Sequence, residues 1–431
     1  MNTNPFSFQN PISDPRQFYG RQSEIRQVLA RLLSNAHEST AIIGEGGMGK
    51  TSLLCHLSNP AVAGKLGIGS EYCLVYIDFA NQVDLSPGGF WRLVLIRLAR
   101  SVSKPGLRAA TEEFARRENL DTSTVEEILE QINLYGFRIV LLLDEFEHVT
   151  RQRALRPDFF GALRTLTIHN KLTFITATRR ELEESCARDE VRISPFFKLF
   201  ASVRLRPFSS TDAAGMIQQN ASLAGVTLTE DEVRFAASMG GGIPFFTQMA
   251  AYYLIQARQP ENDFPSVQNR AVAEFDAQAG PHFREQWKNS SQGEQIVLLG
   301  VIAMNNSPSA QTMSGMQESL HRMSPRASSD IPNLLHRGLL IEGEKPIFSI
   351  PSSLQRWIIH RISNPLSKEA TETMDEATGK PGDLSSMESQ KSILFNYKRS
   401  YWPLIFEVIK ALVPKMNSSA VQELAKNMFR E

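Results

Sequence analysis

A glycine-rich loop followed by lysine and threonine is the stretch of this sequence best suited to chemistry. Residues 44–51 fit the pattern G-x-x-x-x-G-K-[ST] and follow the hydrophobic run 40–43. In such a loop the glycines let consecutive backbone N–H groups point at phosphate oxygens, Lys50 contacts the β and γ phosphates, and the hydroxyl of Thr51 ligates Mg²⁺. The sequence therefore predicts a site for a nucleoside triphosphate. The residues expected to form it are Gly44, Gly46, Gly47, Met48, Gly49, Lys50, Thr51 and Ser52.

A second acidic motif follows a long hydrophobic run. Residues 139–143 are all isoleucine, valine or leucine, and Asp144 and Glu145 come directly after them. Such a run is typical of a parallel strand buried on both faces, which presents functional residues at its carboxyl end. We expect Asp144 to share the Mg²⁺ site with Thr51, and Glu145, which points to the opposite side, to activate the attacking water as a general base. Lys50 and Glu145 are thus the first catalytic candidates.

Length and charge limit the classes of function. A chain of 431 residues predicts two to four domains. Its 46 basic residues balance its 46 acidic residues, so no global field attracts the chain to nucleic acid or to an anionic membrane, although a local patch stays open.

Cysteine spacing and hydropathy predict a cytoplasmic protein without a membrane anchor. The three cysteines at positions 55, 73 and 186 form no C-x-x-C pair, which argues against a disulfide framework or a zinc site and favours a reducing compartment. The first residues lack the basic and apolar regions of a signal peptide. The longest apolar stretch, 296–304, is too short to span a bilayer.

The order of strand and helix patterns predicts the architecture. Up to residue 207 they alternate, which is typical of a parallel, doubly wound α/β sheet with its ligand at the carboxyl ends of the strands. The predicted strands are 40–43, 72–79, 138–144, 172–177 and 202–205. The predicted segments are a leader (1–11), the α/β domain (12–207), an all-helical segment (208–275), helices with a β-hairpin typical of a winged helix (276–363), a flexible linker (364–392) and a helical tail (393–431).

These motifs, in this order, resemble the bacterial AAA-like and STAND signal-transduction ATPases, which include NB-ARC and NACHT domains. The resemblance covers about residues 12–363. It includes an aromatic-Gly-Arg-x-x-Glu motif at 18–24, the Walker A motif at 44–51, the Walker B motif at 141–145 and the G-x-P motif at 242–244. It implies that Tyr19, Gly20 and Arg21 lie beside the adenine, that segment 208–275 is a helical lid, and that Pro244 in this lid contacts the nucleotide on its base side. It also implies ATP as the nucleotide.

Two further segments are compared with the family. Residues 176–179 are similar to the sensor strand that ends in Thr-x-Arg, so Arg179 or Arg180 is interpreted as a γ-phosphate sensor or an arginine finger acting in a neighbouring subunit. A solvated basic turn is the alternative. NB-ARC proteins carry in their winged helix a His-Asp pair that locks ADP, whereas the corresponding helix entry here, residues 350–354, reads Ile-Pro-Ser-Ser-Leu.

Three functions stay open after this comparison. The first is an ATP-hydrolysing molecular switch that forms a homo-oligomer with ATP. The apolar residues of the tail, around Trp402 and Phe406, lead to the hypothesis that this switch acts through a separate partner protein. A DNA-associated ATPase of the initiator or transposition-regulator type is the second. A nucleotide-binding scaffold without hydrolysis is the third. The candidate DNA-phosphate contacts are Arg322, Arg326, His336, Arg337 and Lys345.

Overall fold

The computed structural model describes residues 4–363 apart from 170, 259–262, 306–316, 319, 322–323, 325 and 344–347. The predicted linker and tail, together with Arg322 and Lys345, lie outside the described residues. The chain divides into two compact units. Unit 1 comprises Met1–Thr229 and Ile243–Gln248, and unit 2 comprises Glu230–Gly242 and Met249–Glu431. The predicted domain boundaries stay predictions. In the part of the chain that the structure describes, no helix is long and apolar enough to cross a membrane.

Unit 1 is built on a five-stranded sheet, and this confirms the predicted parallel α/β fold. The order of the strands is β2-β3-β4-β1-β5, and every neighbouring pair is parallel. Because the strands are parallel, their carboxyl ends meet at one edge, where Ile43 pairs with Thr178 and Asp78 with Asp144. The strands are β1 (Ser39–Ile43), β2 (Tyr72–Asp78), β3 (Arg138–Asp144), β4 (Thr173–Thr178) and β5 (Phe200–Arg204).

Helices flank this sheet, and several begin at a residue suited to a helix N-terminus. Proline occupies the first position of α3, α4, α5 and α8, where its missing N–H removes no helical hydrogen bond. The helices of unit 1 are α1 (Gln22–Leu32), α2 (Lys50–Ser58), α3 (Pro60–Lys65), α4 (Pro87–Ser101), α5 (Pro105–Arg116), α6 (Thr122–Leu134), α7 (Glu147–Thr150), α8 (Pro157–Ile168), α9 (Asp189–Arg192) and α10 (Ser210–Leu223). A 3₁₀ helix spans Pro195–Leu199.

The N-cap of α6 differs from the one that its sequence favours. The sequence favours the Thr-Ser-Thr run at 122–124 as the cap, but the helix already includes Thr122, and Asp121 is the N-cap. The Asp121 carboxylate accepts a hydrogen bond from the backbone N–H of Thr124 at 2.8 Å. A carboxylate at this position satisfies an otherwise unpaired donor and also interacts favourably with the helix dipole, so it replaces the hydroxyls.

An aromatic core supports one face of the sheet. Phe90 and Trp91 of α4 are fully buried, and the ring of Phe90 stacks on that of Phe79 with centroids 5.8 Å apart. Phe159 of α8 packs edge-on against Phe90 at 5.2 Å. Close packing of this kind leaves little freedom for rearrangement, so the strands hold their carboxyl ends in fixed register.

Unit 2 is mainly helical and contains a short antiparallel strand pair. The residues of β6 and β7 pair as the predicted hairpin requires, whereas the winged-helix domain itself stays a prediction. Helix α12 begins in unit 1 and continues in unit 2. The elements are α11 (Glu230–Gly240), α12 (Pro244–Ala257), α13 (Phe264–Lys288), α14 (Gln292–Asn305), α15 (Ala327–His336), β6 (Ile341–Glu342), β7 (Phe348–Ser349) and α16 (Ser352–Ser363).

Two serines at the start of α16 connect this helix to α11 within unit 2. The hydroxyls of Ser352 and Ser353 at the start of α16 donate to the backbone carbonyls of Ser238 and Met239 near the end of α11, at 3.2 and 2.7 Å. The last carbonyls of a helix have no partner within the helix. The two serines therefore satisfy carbonyls of α11 while fixing where α16 begins.

Arg337, one of the candidate DNA-phosphate contacts, forms hydrogen bonds and an ion pair within unit 2. The Arg337 guanidinium is 12% exposed and forms an ion pair with Glu294 at 2.9 Å. It also donates to the backbone carbonyl of Gln286 at 3.1 Å. A side chain held by these buried contacts is poorly placed to reach DNA phosphates, so these contacts argue against this role, which stays a prediction for Arg337.

Candidate nucleotide-binding site

Lys50 lies at the centre of the candidate site. It is the first residue of α2 and is 6% exposed, and its Nζ donates to the backbone carbonyls of Gly44 at 2.8 Å and Glu45 at 3.3 Å. Burial lowers the pKa of Lys50, while the negative charge of Glu145 is the strongest influence that raises it. The ammonium group is therefore held inside the curve of the loop, where a phosphate would meet it.

The four glycines of the loop, residues 44–49, differ in backbone conformation and in the space around them. Gly47 and Gly49 have φ values of +82° and +87°, the left-handed region that favours glycine. A Cβ at Gly47 would lie 2.8 Å from the Cβ of Phe245, whereas a Cβ at Gly46 or Gly49 would meet no atom within 4 Å. Gly44 instead anchors the loop to the sheet, since its N–H donates to the carbonyl of Thr178 at 3.1 Å. This cradle fits a phosphate chain because side chains are absent where the backbone turns.

Arg21 supports the loop from the side of α1. Its guanidinium donates to the carbonyls of Met48 at 3.0 Å and Arg206 at 2.7 Å. It pairs with Glu24 at 3.0 Å and lies 4.5 Å from the ring centre of Phe208. The resemblance implies a position beside the adenine, but these contacts occupy the guanidinium within the protein. Arg21 therefore contributes by fixing the backbone of the loop at Met48, whose side chain is buried.

Tyr19 and Gly20 pack against neighbouring elements of unit 1. The Tyr19 ring meets Phe208 edge-on at 6.4 Å, and a Cβ at Gly215 of α10 would overlap the Tyr19 hydroxyl. Gly20 has a φ of +70°, and a Cβ there would lie 3.1 Å from the Phe208 ring. These residues thus bring the chain before α1 close to α10, and their contact with adenine stays a prediction.

Ser52 and Pro244 lie on two sides of the loop. The Ser52 hydroxyl accepts a hydrogen bond from the N–H of Ile12 at 3.1 Å, so it connects α2 to the start of the chain. Pro244 is the first residue of α12, and the N–H of Phe245 donates to the carbonyl of Gly47 at 3.2 Å. The tertiary structure therefore places Ile243 and Phe245, the two neighbours of Pro244, against the glycine loop of residues 44–49.

Asp144 and Thr51 form a pair of oxygen donors at the end of β3. Asp144 is 1% exposed, and its carboxylate accepts hydrogen bonds from the Tyr76 hydroxyl at 3.1 Å and from the N–H of Glu145 at 3.0 Å. Burial raises the pKa of Asp144, while hydrogen bonds from Thr51, the Glu145 backbone and Tyr76 lower it. A carboxylate and a hydroxyl are the hard oxygen ligands that Mg²⁺ prefers, so this donor set fits the predicted ion.

Glu145 leaves the strand in an unusual backbone conformation. Its φ is +49°, a region that residues with a Cβ rarely adopt, and its side chain is partly buried. The left-handed turn ends β3 directly after Asp144 and directs the chain into α7. Conformational strain of this kind is often found at functional sites.

The structure adds two residues that the sequence reasoning missed. Tyr76 lies on β2, one strand away from Asp144, and it holds the carboxylate. Glu147, the first residue of α7, is 4% exposed and lies close enough to raise the pKa of Lys50. The sequence carries a signal for each of them. Tyr76 lies two residues before Asp78 and therefore on the same face of β2, and Glu147 is the second glutamate of the Asp-Glu-Phe-Glu run at 144–147.

The predicted sensor residues lie at the end of β4. The Arg179 side chain is 47% exposed, and its Nε lies 4.0 Å from Oε1 of Glu147. The Thr178 hydroxyl donates to the backbone carbonyl of Arg180 at 2.7 Å, and the Arg180 side chain is exposed. Arg179 is thus the arginine that lies beside Glu147, an acidic residue next to the candidate site.

Two family models match the segments that carry this site. A model described as "AAA domain" matches residues 34–185, which include both the phosphate loop and Asp144. A model described as "Novel STAND NTPase 2" matches residues 120–307, from before Asp144 to beyond the G-x-P segment. Together these matches support a P-loop NTPase of the AAA/STAND type. No curated protein has a matching sequence.

Solved structures share the fold of this NTPase. The Walker-type ATPase paby2304 of Pyrococcus abyssi has a TM-score of 0.50 and 17% sequence identity, over 80% of this chain and 97% of that one. The ORC2 protein of Aeropyrum pernix, in ADPNP-ADP complexes, has a TM-score of 0.52 and 14% identity, over 83% of this chain and 96% of that one. At such identities the likeness shows the fold alone.

Proposed function

We propose that this NTPase binds ATP together with Mg²⁺ and hydrolyses it slowly as a molecular switch. The observation that carries the proposal is the buried ammonium group of Lys50, held inside the glycine loop and facing the charges of Glu145, Glu147 and Asp144. A buried cation next to several carboxylates and a glycine cradle suits a polyphosphate bound through a divalent metal. The ADPNP-ADP complexes of the ORC2 protein are consistent with an adenine nucleotide.

Each residue has a specific role in this proposal. Lys50 and the backbone of residues 44–49 bind the β and γ phosphates, while Thr51 and Asp144 hold Mg²⁺, with Tyr76 orienting the carboxylate. Bound Mg²⁺ supplies neutralisation of the charge that develops on the phosphate oxygens. Glu145 accepts a proton from the attacking water, and Arg179 is the sensor of the γ phosphate. Tyr19, Gly20, Arg21, Ser52 and Pro244 shape or bind the remaining nucleotide site.

The switch would act through assembly. We propose that ATP promotes a homo-oligomer and that residues 393–431, which lie outside the described part of the chain, recruit a partner protein in the cytoplasm. Two features of the sequence support the proposal. The tail has an amphipathic pattern, and its apolar residues, among them Trp402 and Phe406, follow a polar linker.

The experiment compares phosphate release and light scattering with ADP or ATP for wild type, Glu145→Gln and Lys50→Ala, with Lys65→Ala as the control. Lys65 is an exposed lysine at the end of α3. We expect Glu145→Gln to bind ATP and to oligomerise without releasing phosphate, and Lys50→Ala to bind poorly. Phosphate release by Glu145→Gln at the wild-type rate would remove the proposed base. No change in size with either nucleotide would contradict the switch.

A further inference from the structure

Glu147 connects the ends of two neighbouring strands. It begins α7 three residues after Asp144 at the end of β3, and its Oε1 accepts a hydrogen bond from the backbone N–H of Arg179 at 3.3 Å. The Nε of the Arg179 side chain lies 4.0 Å from the same oxygen. The carboxylate therefore contacts both the backbone and the charged side chain of the proposed sensor.

The charge of Glu147 also reaches the phosphate loop. Its negative charge is among those that raise the pKa of Lys50, while the positive charge of Arg179 lowers it. The Glu147 side chain is 5% exposed, and its Oε2 is buried without a hydrogen-bond partner among the described residues. If Glu147 only stabilised the fold, hydrogen bonds to both of its carboxylate oxygens would be expected, because an unsatisfied buried oxygen costs free energy. A buried carboxylate with one unsatisfied oxygen therefore suggests that its negative charge acts on neighbouring groups.

We propose that Glu147 is a positioning residue that competes with the γ phosphate for Arg179 and so sets the preference for ATP over ADP. The inference rests on the proposed nucleotide binding. Without nucleotide, the carboxylate attracts the guanidinium towards α7. A γ phosphate near Lys50 offers Arg179 a second anion, whereas ADP lacks this group. The negative charge of Glu147 therefore opposes ATP binding through Arg179 and affects ADP less.

The replacement Glu147→Gln separates the charge from the backbone contact. The glutamine amide oxygen can still accept from the N–H of Arg179, but the negative charge is gone. Because the Arg179 side chain is about half exposed, we expect a modest effect, with the affinity for ATP relative to ADP rising about threefold to fivefold. Lys50 faces the β phosphate of both nucleotides but the γ phosphate of ATP alone, so the Arg179→Ala background is needed to separate an effect that acts through Lys50 from one that acts through Arg179.

The test is a double-mutant cycle on the full chain. Affinities for ADPNP and ADP with Mg²⁺ are measured by calorimetry for wild type, Glu147→Gln, Arg179→Ala and the double variant. We expect the rise in the ratio to disappear in the Arg179→Ala background, because the two residues act on one another. A structural role alone would change both affinities or the melting temperature and leave the ratio unchanged. If Glu147→Gln does not fold, Glu147→Asp, whose carboxylate is too short to reach Arg179, is expected to raise the ratio.

The outcomes separate this inference from the proposed function. Wild-type chain that binds neither nucleotide overturns both. Normal binding with an unchanged ratio in the Glu147 variants overturns the inference alone, and so does a raised ratio that persists when Arg179 is alanine.

Discussion

Three alanine replacements in the phosphate loop separate backbone strain from crowding. Gly46→Ala adds a methyl group in open space at an ordinary φ, and Gly49→Ala adds one in open space at a φ of +87°. Gly47→Ala adds a methyl group at a φ of +82° and 2.8 Å from the Cβ of Phe245. The three variants change the same atom count within four residues of one loop, so each serves as a control for the others.

The structure sets the order of the expected losses in the free energy of unfolding. Gly46→Ala should change it by less than about 0.5 kcal/mol, since it creates neither strain nor contact. Gly49→Ala should cost about 1–2 kcal/mol for a left-handed residue with a Cβ. Gly47→Ala adds about 1–3 kcal/mol of overpacking to that strain, because Phe245 is also held by its hydrogen bond to the Gly47 carbonyl. The total for Gly47→Ala is thus about 2–5 kcal/mol.

The assay is urea unfolding of the nucleotide-free chain, followed by tryptophan fluorescence and by circular dichroism, with the other three of the four tryptophans replaced by phenylalanine in every variant so that Trp91 of unit 1 reports alone. Without nucleotide, the result reports the packing of the loop and not its contact with phosphate. Equal midpoints for Gly47→Ala and Gly49→Ala would refute the packing of Phe245 on the loop. A loss for Gly46→Ala as large as that for Gly47→Ala would refute the described course of the loop itself.

Three further outcomes are expected. Arg21→Ala should lower the free energy of unfolding by about 3 kcal/mol, because it removes the donor to the partly buried Glu24 carboxylate and to two backbone carbonyls. Urea unfolding measures this change, and a loss below about 1 kcal/mol would contradict it. Tyr76→Phe should raise the Mg²⁺ concentration needed for nucleotide binding about fivefold, whereas Tyr72→Phe on the same strand should not. Burial raises the pKa of Cys73 and of Cys186 to about 11, so alkylation at pH 8 should be more than about 100-fold slower in the native chain than in urea and should accelerate as the pH rises; equal rates at pH 8 would count against this burial.

Much of the fold follows from local patterns. The five strands begin and end within two residues of the predicted ranges, because buried parallel strands consist of short apolar runs that few other structures accommodate. The glycine loop at 44–51 and Asp144 could also be predicted from the sequence. A glycine-rich loop that ends in lysine and threonine, and an acidic residue after a buried strand, are local patterns typical of a nucleotide-binding site.

The sequence by itself determined that the chain has a parallel sheet with the loop and the acidic motif at strand ends, because hydrophobic period and glycine chemistry are local properties. Only the tertiary structure decided which groups face one another across strands and loops. It directed Arg21 to the backbone of Met48, brought Tyr76 to Asp144 and placed Phe245 on Gly47. It also set Glu147 beside Arg179. These pairs are 27 or more residues apart, and strand order and packing decide such contacts.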